Sequence, residues 1–415
     1  MLSGGSAEKG RADMQQKHHR IIIVGGGPVG SIAALTLAQA GIPVTVLERE
    51  AEIVADYRAS TFHPPTLDLL EASGATEALI GMGLIAPTMQ YRDRRRGKIA
   101  EFDFSLLRHD TRHPYRLQCE QFKLVGWAYR QLAAIPGAEL CFSHEVTHVA
   151  QNEDGVVVQV TTPAGEKTLK GDFLIAADGG RSTVRKALAV GFEGFTYAEH
   201  FLVAGTRFDF KSAMPDICSV NYTADPAEWY LLLEIPDMWR IVTPVDPDRE
   251  PDDAMQASSI QSSLQNLLPR AEPYEIVVKA IYRVSQRVAD TYRKGRAFLA
   301  GDAAHINNPL GGMGLNGGLH DALDLTGRLI RVWHGTSDET LLAGYELRRK
   351  PEAVNAINAI TQRNKRLLEE RDPEVRRRNL EEWARIAANP ALAYEHLLQT
   401  SMIASLRRSG MIDVP

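Results

Sequence analysis

Cysteine is scarce in this chain: three residues in 415, Cys119, Cys141 and Cys218, none in CxxC spacing. That excludes a disulfide framework, a zinc site and a CxxC redox centre. No run of about eighteen uninterrupted apolar residues occurs, which excludes an ordinary membrane-spanning helix. Basic residues are not concentrated on any segment, and the net charge is −5 with a pI near 6.2. Neither nucleic acid nor an anionic membrane is therefore an expected partner. The stretch 1–19 is rich in Gly, Ser, Lys and Gln without an apolar h-region; it reads as a disordered leader and not as a secretory signal. No internal repeat is evident. What remains is a 44% hydrophobic chain long enough to bury a large core, organised as two interlocked domains plus a tail. The cytosol is the default location, and a small molecule the expected substrate.

The first strong unit runs from Arg20 to Arg49. Apolar Ile21 to Val24 leads into a glycine turn, a helix-like run from Ser31 to Ala40, and the alternating strand Pro43 to Glu48, a β-α-β pattern. Between Glu145 and Ala177, short β-rich runs are separated by turn residues and return to a buried strand, Phe173 to Ala177, so the chain revisits its first sheet. Residues 190–290 are dominated by strand-like runs, such as Glu228 to Pro236 and Met238 to Val245, with one helix-like stretch around Asp253 to Leu268. Mostly helical sequence follows a second glycine loop, and Gln362 to Ala388 reads as surface helices.

The chemistry begins at Gly25-Gly-Gly-Pro-Val-Gly30, which follows a strand and opens a helix. Gly25 permits the tight turn, Gly27 lets a pyrophosphate approach the backbone, and Gly30 allows close helix packing. Pro28 and Val29 open the helix, whose N-terminus attracts phosphate charge. Glu48 lies eighteen positions beyond Gly30, at the end of the second strand, where its carboxylate accepts from ribose hydroxyls; Arg49 follows it. These residues identify a dinucleotide, not which one.

Two further motifs close later strands: Ala177-Asp-Gly-Gly-Arg-Ser-Thr-Val-Arg185, and Gly301-Asp-Ala-Ala-His-Ile-Asn-Asn-Pro-Leu-Gly-Gly-Met-Gly-Leu-Asn316. Together the three motifs resemble the fingerprints of the FAD-dependent aromatic hydroxylases, the group A flavoprotein monooxygenases of the 4-hydroxybenzoate hydroxylase type. The resemblance spans roughly residues 20–350. It implies an α/β fold in which a Rossmann-like FAD-binding domain of the GR2 type (20–75, 110–189 and 290–350) interleaves with a β-sheet substrate domain (76–109 and 190–289), followed by C-terminal helices (351–415). Tyr57-Arg-Ala-Ser-Thr-Phe-His63 is similar to the family segment beside the flavin ring, and Leu117-Gln-Cys-Glu120 to its glutamine-bearing segment. Arg58 and Gln118 are carried over as flavin contacts on that basis.

Asp302 at a strand end is placed to accept from a ribitol hydroxyl. The loop Pro309, Gly312, Gly314, Leu315 and Asn316 opens a helix whose free N–H groups stabilise negative charge on reduced flavin. Asp178, with Arg181 to Arg185, belongs to a segment that the family uses both to hold FAD indirectly and to receive nicotinamide dinucleotide, with capping the equally weighted alternative. No second GxGxxG is then needed for NADH or NADPH. The activity implied is reduction of FAD by NAD(P)H, reaction with O2 to a flavin C4a-hydroperoxide, and hydroxylation of a phenolic or hydroxy-N-heteroaromatic ring. No metal is required.

Candidates for the ring site are fewer. Arg240 interrupts an apolar strand and is a partner for a carboxylate or phenolate, Tyr222 or Tyr230 for the hydroxyl, and His63 for a proton relay, against the alternative that each is a wall or surface residue. Asn308-Pro309 replaces the paired prolines of many relatives, and Leu310 and Met313 are apolar where polar residues are common, so no relative's substrate transfers directly. A halogenase is disfavoured because Trp229 to Pro236 lacks paired tryptophans. A flavin-dependent dehydrogenase or reductase and a non-catalytic flavin-binding redox module stay open, as do monomer and homodimer.

Overall fold

Strand Ile21–Val24 is wholly buried, as is Phe173–Ala176 beside it, and such unbroken apolar strands fit only a parallel sheet covered on both faces. The computed structural model describes residues 19–57 and 59–413. In it, Ile21–Val24 pairs in parallel with Val44–Leu47 on one side and Phe173–Ala176 on the other. Ala138–Cys141, Ala297–Leu299 and the antiparallel Arg293–Lys294 complete six strands. The chain leaves the first strand in one direction and returns on its other flank. This opens a crevice at the carboxyl ends, beside Gly25 and Ala177, where α/β sheets bind ligands. Helix Pro28–Gln39 starts three residues before the expected Ser31, because Pro28 occupies the first turn, where its missing N–H costs nothing.

The second sheet has eight strands and takes Thr88–Asp93 and Gly97–Asp103 from early in the chain alongside strands of 192–289. Within 76–109, the helix Ala75–Met82 and strand Leu84–Ala86 come first, and that strand pairs instead with Arg116–Gln118 in a three-stranded sheet. Side chains alternate across the large sheet. Leu202, Ala204, Tyr230 and Leu232 face Ile260 and Leu264 of helix Ala257–Leu267. Phe201, Val203, Tyr222 and Leu231 face the other way, toward Leu310 and the C-terminal helices.

Those helices are continuous with what precedes them: Ala343–Glu352, the π-helical turn Ala353–Asn358 and Ala359–Leu368 follow without a break, so the divide placed at 350/351 falls inside a helix. Gln362 to Ala388, a charged amphipathic run, forms helices that bury one apolar face. Trp383 is 3% exposed and stacks on Tyr91 with ring centroids 4.4 Å apart. The charged majority of that sequence masks one apolar face. No helix among the described residues is long and apolar enough to cross a membrane.

One buried carboxylate joins these parts. Asp321, in helix Met313–Trp333, accepts from Arg349 Nε and His305 Nε2 at 2.7 Å each, and from the Gly301 N–H at 3.1 Å. Burial alone would raise its carboxyl, but His305 and Arg349 hold it below the ordinary value. Since the folded value is depressed, this stabilisation is present at neutral pH and is lost as pH falls below the ordinary carboxyl range, near 3.8. Arg349→Met leaves the carboxylate buried without its cation, and chemical denaturation of the variant is expected to show about 3–5 kcal/mol of lost stability. A loss within experimental error would refute the hub.

Candidate active site

The glycines of the first turn are needed for different reasons. Gly25 adopts φ +96°, and a Cβ there would lie 2.3 Å from the Ala177 carbonyl oxygen. A Cβ on Gly30 would lie 1.9 Å from the Gly25 carbonyl oxygen, and one on Gly26 would lie 1.8 Å from the Tyr129 hydroxyl, which donates to the Gly26 carbonyl at 2.8 Å. At Gly27 nothing lies within 4 Å. Protein packing therefore demands Gly25, Gly26 and Gly30, while Gly27 faces open space at the N-terminus of helix Pro28–Gln39, where no side chain caps the free N–H groups. This is the cradle that a pyrophosphate requires.

Glu48 stands at the carboxyl end of the next strand, accepting from the Gly26 N–H at 2.7 Å and the Glu50 N–H at 2.9 Å. It thus fastens the turn as well as offering a carboxylate beside it. Arg49 is exposed, its Nε 3.0 Å from Glu50 Oε1. Asp302 is exposed in the turn Gly301–Ala303. Gly301 in that turn packs on Val29, and a Cβ there would lie 2.8 Å from its Cγ2, so the first and third motifs touch.

The loop beyond is held from several sides. Gly311 and Gly312 take φ +118° and +69°, a region L side chains avoid, and Gly312 N–H closes on the Pro309 carbonyl at 3.0 Å. Asn316, fully buried, accepts from the His63 backbone N–H at 2.9 Å and donates to the carbonyls of Thr61 (2.9 Å) and Gly312 (2.6 Å). His63 Nε2 meets the Gly311 carbonyl at 2.8 Å. Gly314 passes Asn307, and Leu315 packs on the main core. Asn308, where two prolines were the family expectation, accepts from the Leu310 N–H at 3.1 Å, and its own N–H donates to Gln286 at 3.1 Å. The side chain thus supplies a stiffness that a proline ring would otherwise give.

Gln118 accepts from the Thr61 hydroxyl at 3.0 Å, and its Nε2 is buried with no partner among the described residues, an orphan donor. Arg58 lies outside the described residues. Asp178 is placed as a cap: it accepts from the Val184 N–H at 3.1 Å, and burial raises its carboxyl. Arg185 is locked to the carbonyls of Ala303 (2.9 Å) and Gly180 (2.8 Å), joining the second motif to the third.

At the ring end, strand alternation puts Arg240 on the Tyr222 side of the large sheet. Arg240 donates to the Tyr57 carbonyl, its Nε has no partner among the described residues, and burial lowers its pKa. His63 is also buried. Desolvation, and then the Arg116 charge, hold it well below the ordinary histidine range, so it is neutral at pH 7. Arg116 itself was not singled out from the sequence. It is 1% exposed, donates from Nη1 to the Tyr222 hydroxyl at 3.1 Å, lies 5.5 Å from the Phe104 ring centroid, and forms no ion pair among the described residues. A signal for it existed: residues two apart on a strand share a face, so in Arg116–Gln118 a flavin-facing Gln118 brings Arg116 with it. The open cradle at Gly27 and the orphan amide of Gln118 fit FAD.

The profile described as "FAD binding domain" matches residues 18–359. Para-nitrophenol 4-monooxygenase of a Pseudomonas species is 31% identical over 392 residues, 93% of this chain and 96% of the relative. The 6-hydroxy-3-succinoylpyridine 3-monooxygenase of Pseudomonas putida is 34% identical over 355 residues, 85% of this chain and 90% of the relative. The crystal structure of p-nitrophenol 4-monooxygenase from Pseudomonas putida superposes with a TM-score of 0.89 at 30% identity, covering 94% of this chain and 99% of that one. By motifs, fold and site alike, the chain belongs to the FAD binding domain family, among the FAD-dependent aromatic monooxygenases.

Proposed function

We propose that this protein hydroxylates a phenolic or hydroxy-N-heteroaromatic ring bound as its oxyanion, using NAD(P)H and O2, with Arg116 receiving the negative charge. The observation carrying this reading is a buried guanidinium that no described carboxylate pairs. An uncompensated buried charge costs several kcal/mol, so its retention here points to a ligand that brings the counter-charge. The two Pseudomonas relatives are named for rings that carry a nitrophenol or hydroxypyridine hydroxyl, which supports the same class.

The chemistry supplied when FAD is bound is acceptance of hydride from NAD(P)H and delivery of one atom of O2 to the ring, the other leaving as water. Gly27, the helix start at Pro28 and Val29, Glu48, Arg49, Gln118, Asp302 and the loop Pro309–Asn316 would hold FAD. Tyr222 accepts from Arg116, which leaves its own O–H proton for the ring oxygen. Phe104 and Leu310, both fully buried, exclude water from the ring. His63 fits a positioning role better than a relay, because its Nε2 is engaged at Gly311, and the Arg116 charge disfavours protonation at Nδ1. Arg240 positions the Tyr57 segment through its carbonyl. In this reading 20–75, 110–189 and 290–350 serve the flavin, 76–109 and 190–289 serve the ring, and the enzyme is cytosolic, monomer or homodimer.

The direct assay follows NADH and NADPH oxidation under air with a panel of phenols and hydroxypyridines. Stoichiometric hydroxylated product upholds the reading; peroxide alone identifies a mere effector; no response to any ring favours a redox module. Arg116→Met removes a buried charge-assisted contact and is expected to raise KM for a phenolate by about 10- to 100-fold with FAD content unchanged. Gly27→Ala adds a Cβ with no protein atom within 4 Å, so its circular dichroism and melting as apoprotein should match wild type while the purified protein loses its flavin absorbance. A variant that stays yellow would show that Gly27 does not face the cofactor.

A further inference from the structure

Arg240 and Arg116 are anchored in the same way. Each donates from Nη1 to one protein oxygen, Arg240 to the Tyr57 carbonyl and Arg116 to the Tyr222 hydroxyl. In each, Nε is buried with no hydrogen-bond partner among the described residues, and Nη2 makes no hydrogen bond to one either. Nε and Nη2 together form the side edge of a guanidinium, whose two parallel N–H groups match a planar group carrying two oxygens. Two such edges are therefore left open in the buried interior, and a ring oxyanion accounts only for that of Arg116.

The position of Arg240 ties its edge to the same site. Tyr222, Leu231 and Val242 form one row of paired residues across three strands of the large sheet, and Val220, Leu233 and Arg240 form the next row on the same face. Arg240 thus lies two strands and one row from Tyr222, a Cα separation of roughly 12 Å, which an arginine and a tyrosine side chain together reduce to the span of one substituted ring. Tyr222 is also among the groups whose field Arg240 feels. The side chains around Arg240 on that face, Leu231, Leu233 and Val242, are buried and apolar and offer it no oxygen. The two carboxylates within its field are engaged elsewhere: Asp56 accepts from Gln121 Nε2 at 2.8 Å, and Glu120 pairs with Lys123 at 2.9 Å. Arg240 itself is 5% exposed and forms no ion pair among the described residues.

We infer that the ring site holds its substrate at two points, and that the second is a planar two-oxygen substituent of the ring, a carboxylate or a nitro group, bound along the Nε–Nη2 edge of Arg240. This rests on the reading of Arg116 as the receptor of the ring oxygen. The Nη1 anchor on Tyr57 fixes the plane of the fork, and a two-oxygen group lying in that plane satisfies the donors that the protein leaves unmet. A ring tethered at both ends presents one of its carbons to the flavin, so the second point selects the position hydroxylated as well as the substrate.

The test measures Kd from the flavin absorbance change in FAD-loaded protein without nicotinamide. The probes are the isomeric hydroxybenzoates and nitrophenols, each set against the matching cresol, which keeps the hydroxyl and lacks the two-oxygen group. At least one isomer is expected to bind about tenfold or more tightly than its cresol, and the better of the two series identifies the group. Arg240→Met should cut that preference about tenfold, and Arg240→Lys, which keeps a cation but has no fork, should cut it by less. A displaced Tyr57 segment would weaken isomer and cresol alike, so the ratio isolates the edge, and Arg240→Lys carries the test if the Met variant does not fold. The second point is overturned if no isomer outbinds its cresol, or if the preference in the folded variants is as large as in wild type. Arg116→Met should weaken isomer and cresol together; if it weakens neither, the reading of Arg116 falls, while a ratio sensitive to Arg240 still upholds the second point.

Discussion

Asp321 is the constraint on which the flavin site depends. Its two oxygens gather an arginine from the helix Ala343–Glu352, a histidine from the strand His305–Ile306 and the backbone of Gly301. Holding Gly301 sets the turn that presses on Val29, the second residue of the first phosphate helix, while Gly318 of Asp321's own helix comes within 3.1 Å of the Gly301 Cα at the position of an added Cβ. The starts of two helices are thereby registered through contacts that tolerate no extra carbon. One helix faces the pyrophosphate cradle and the other begins at the loop Pro309–Asn316. A carboxylate that never meets ligand thus sets the distance between the two ends of the cofactor site.

Arg349 and Arg116 show how burial separates structure from function. Each is 1% exposed. Arg349 is satisfied by Asp321, and the neighbouring charge raises its pKa despite burial. Arg116 has a phenol and an aromatic face but no carboxylate among the described residues. The first pair is complete within the protein; Arg116 Nε has no hydrogen-bond partner among the described residues. Nothing in residue type distinguishes these arginines, and only their surroundings do.

That contrast explains what could be read in advance. The cradle was legible because its residues are contiguous and their spacing has a backbone cause: Gly25, Gly27 and Gly30 each answer a different steric or electrostatic need within one turn. The helix opening after Gly312 was legible for the same reason. Asp302 and Gln118 could be placed only through the family likeness, since a lone Asp or Gln carries no local signature. Arg49, like Asp302 and Gln118, carries no local signature beyond its place beside Glu48, and its exposed side chain pairs with Glu50. Arg116 was missed because its significance comes from Tyr222, Phe104 and His63, which lie on other elements and meet it only through tertiary packing. The amphipathic run from Gln362 to Ala388 was legible, but the partner of its Trp383, the Tyr91 ring almost three hundred residues earlier, was not.

The ring site is assembled from a short three-stranded sheet, the eight-stranded sheet and the flavin loop, and the C-terminal helices close its far side. Specificity in such a site follows from what each contributor can vary without disturbing the cofactor. Arg116 shares the strand Arg116–Gln118 with the residue proposed as a flavin contact, so on the proposed function the cation is a fixed element that selects an acidic ring hydroxyl. Tyr222 and Tyr91 lie on neighbouring strands that pair in parallel, and their side chains can change without altering that backbone ladder. The helices over Tyr91 touch the flavin loop only through Asn364 and its neighbours. On the proposed function, ring size and substituents would be set by the sheet face and the helical cover, and the charge of the ring beside the flavin. Relatives that share the cradle can differ in substrate for this reason: the two requirements are carried by different parts of the chain.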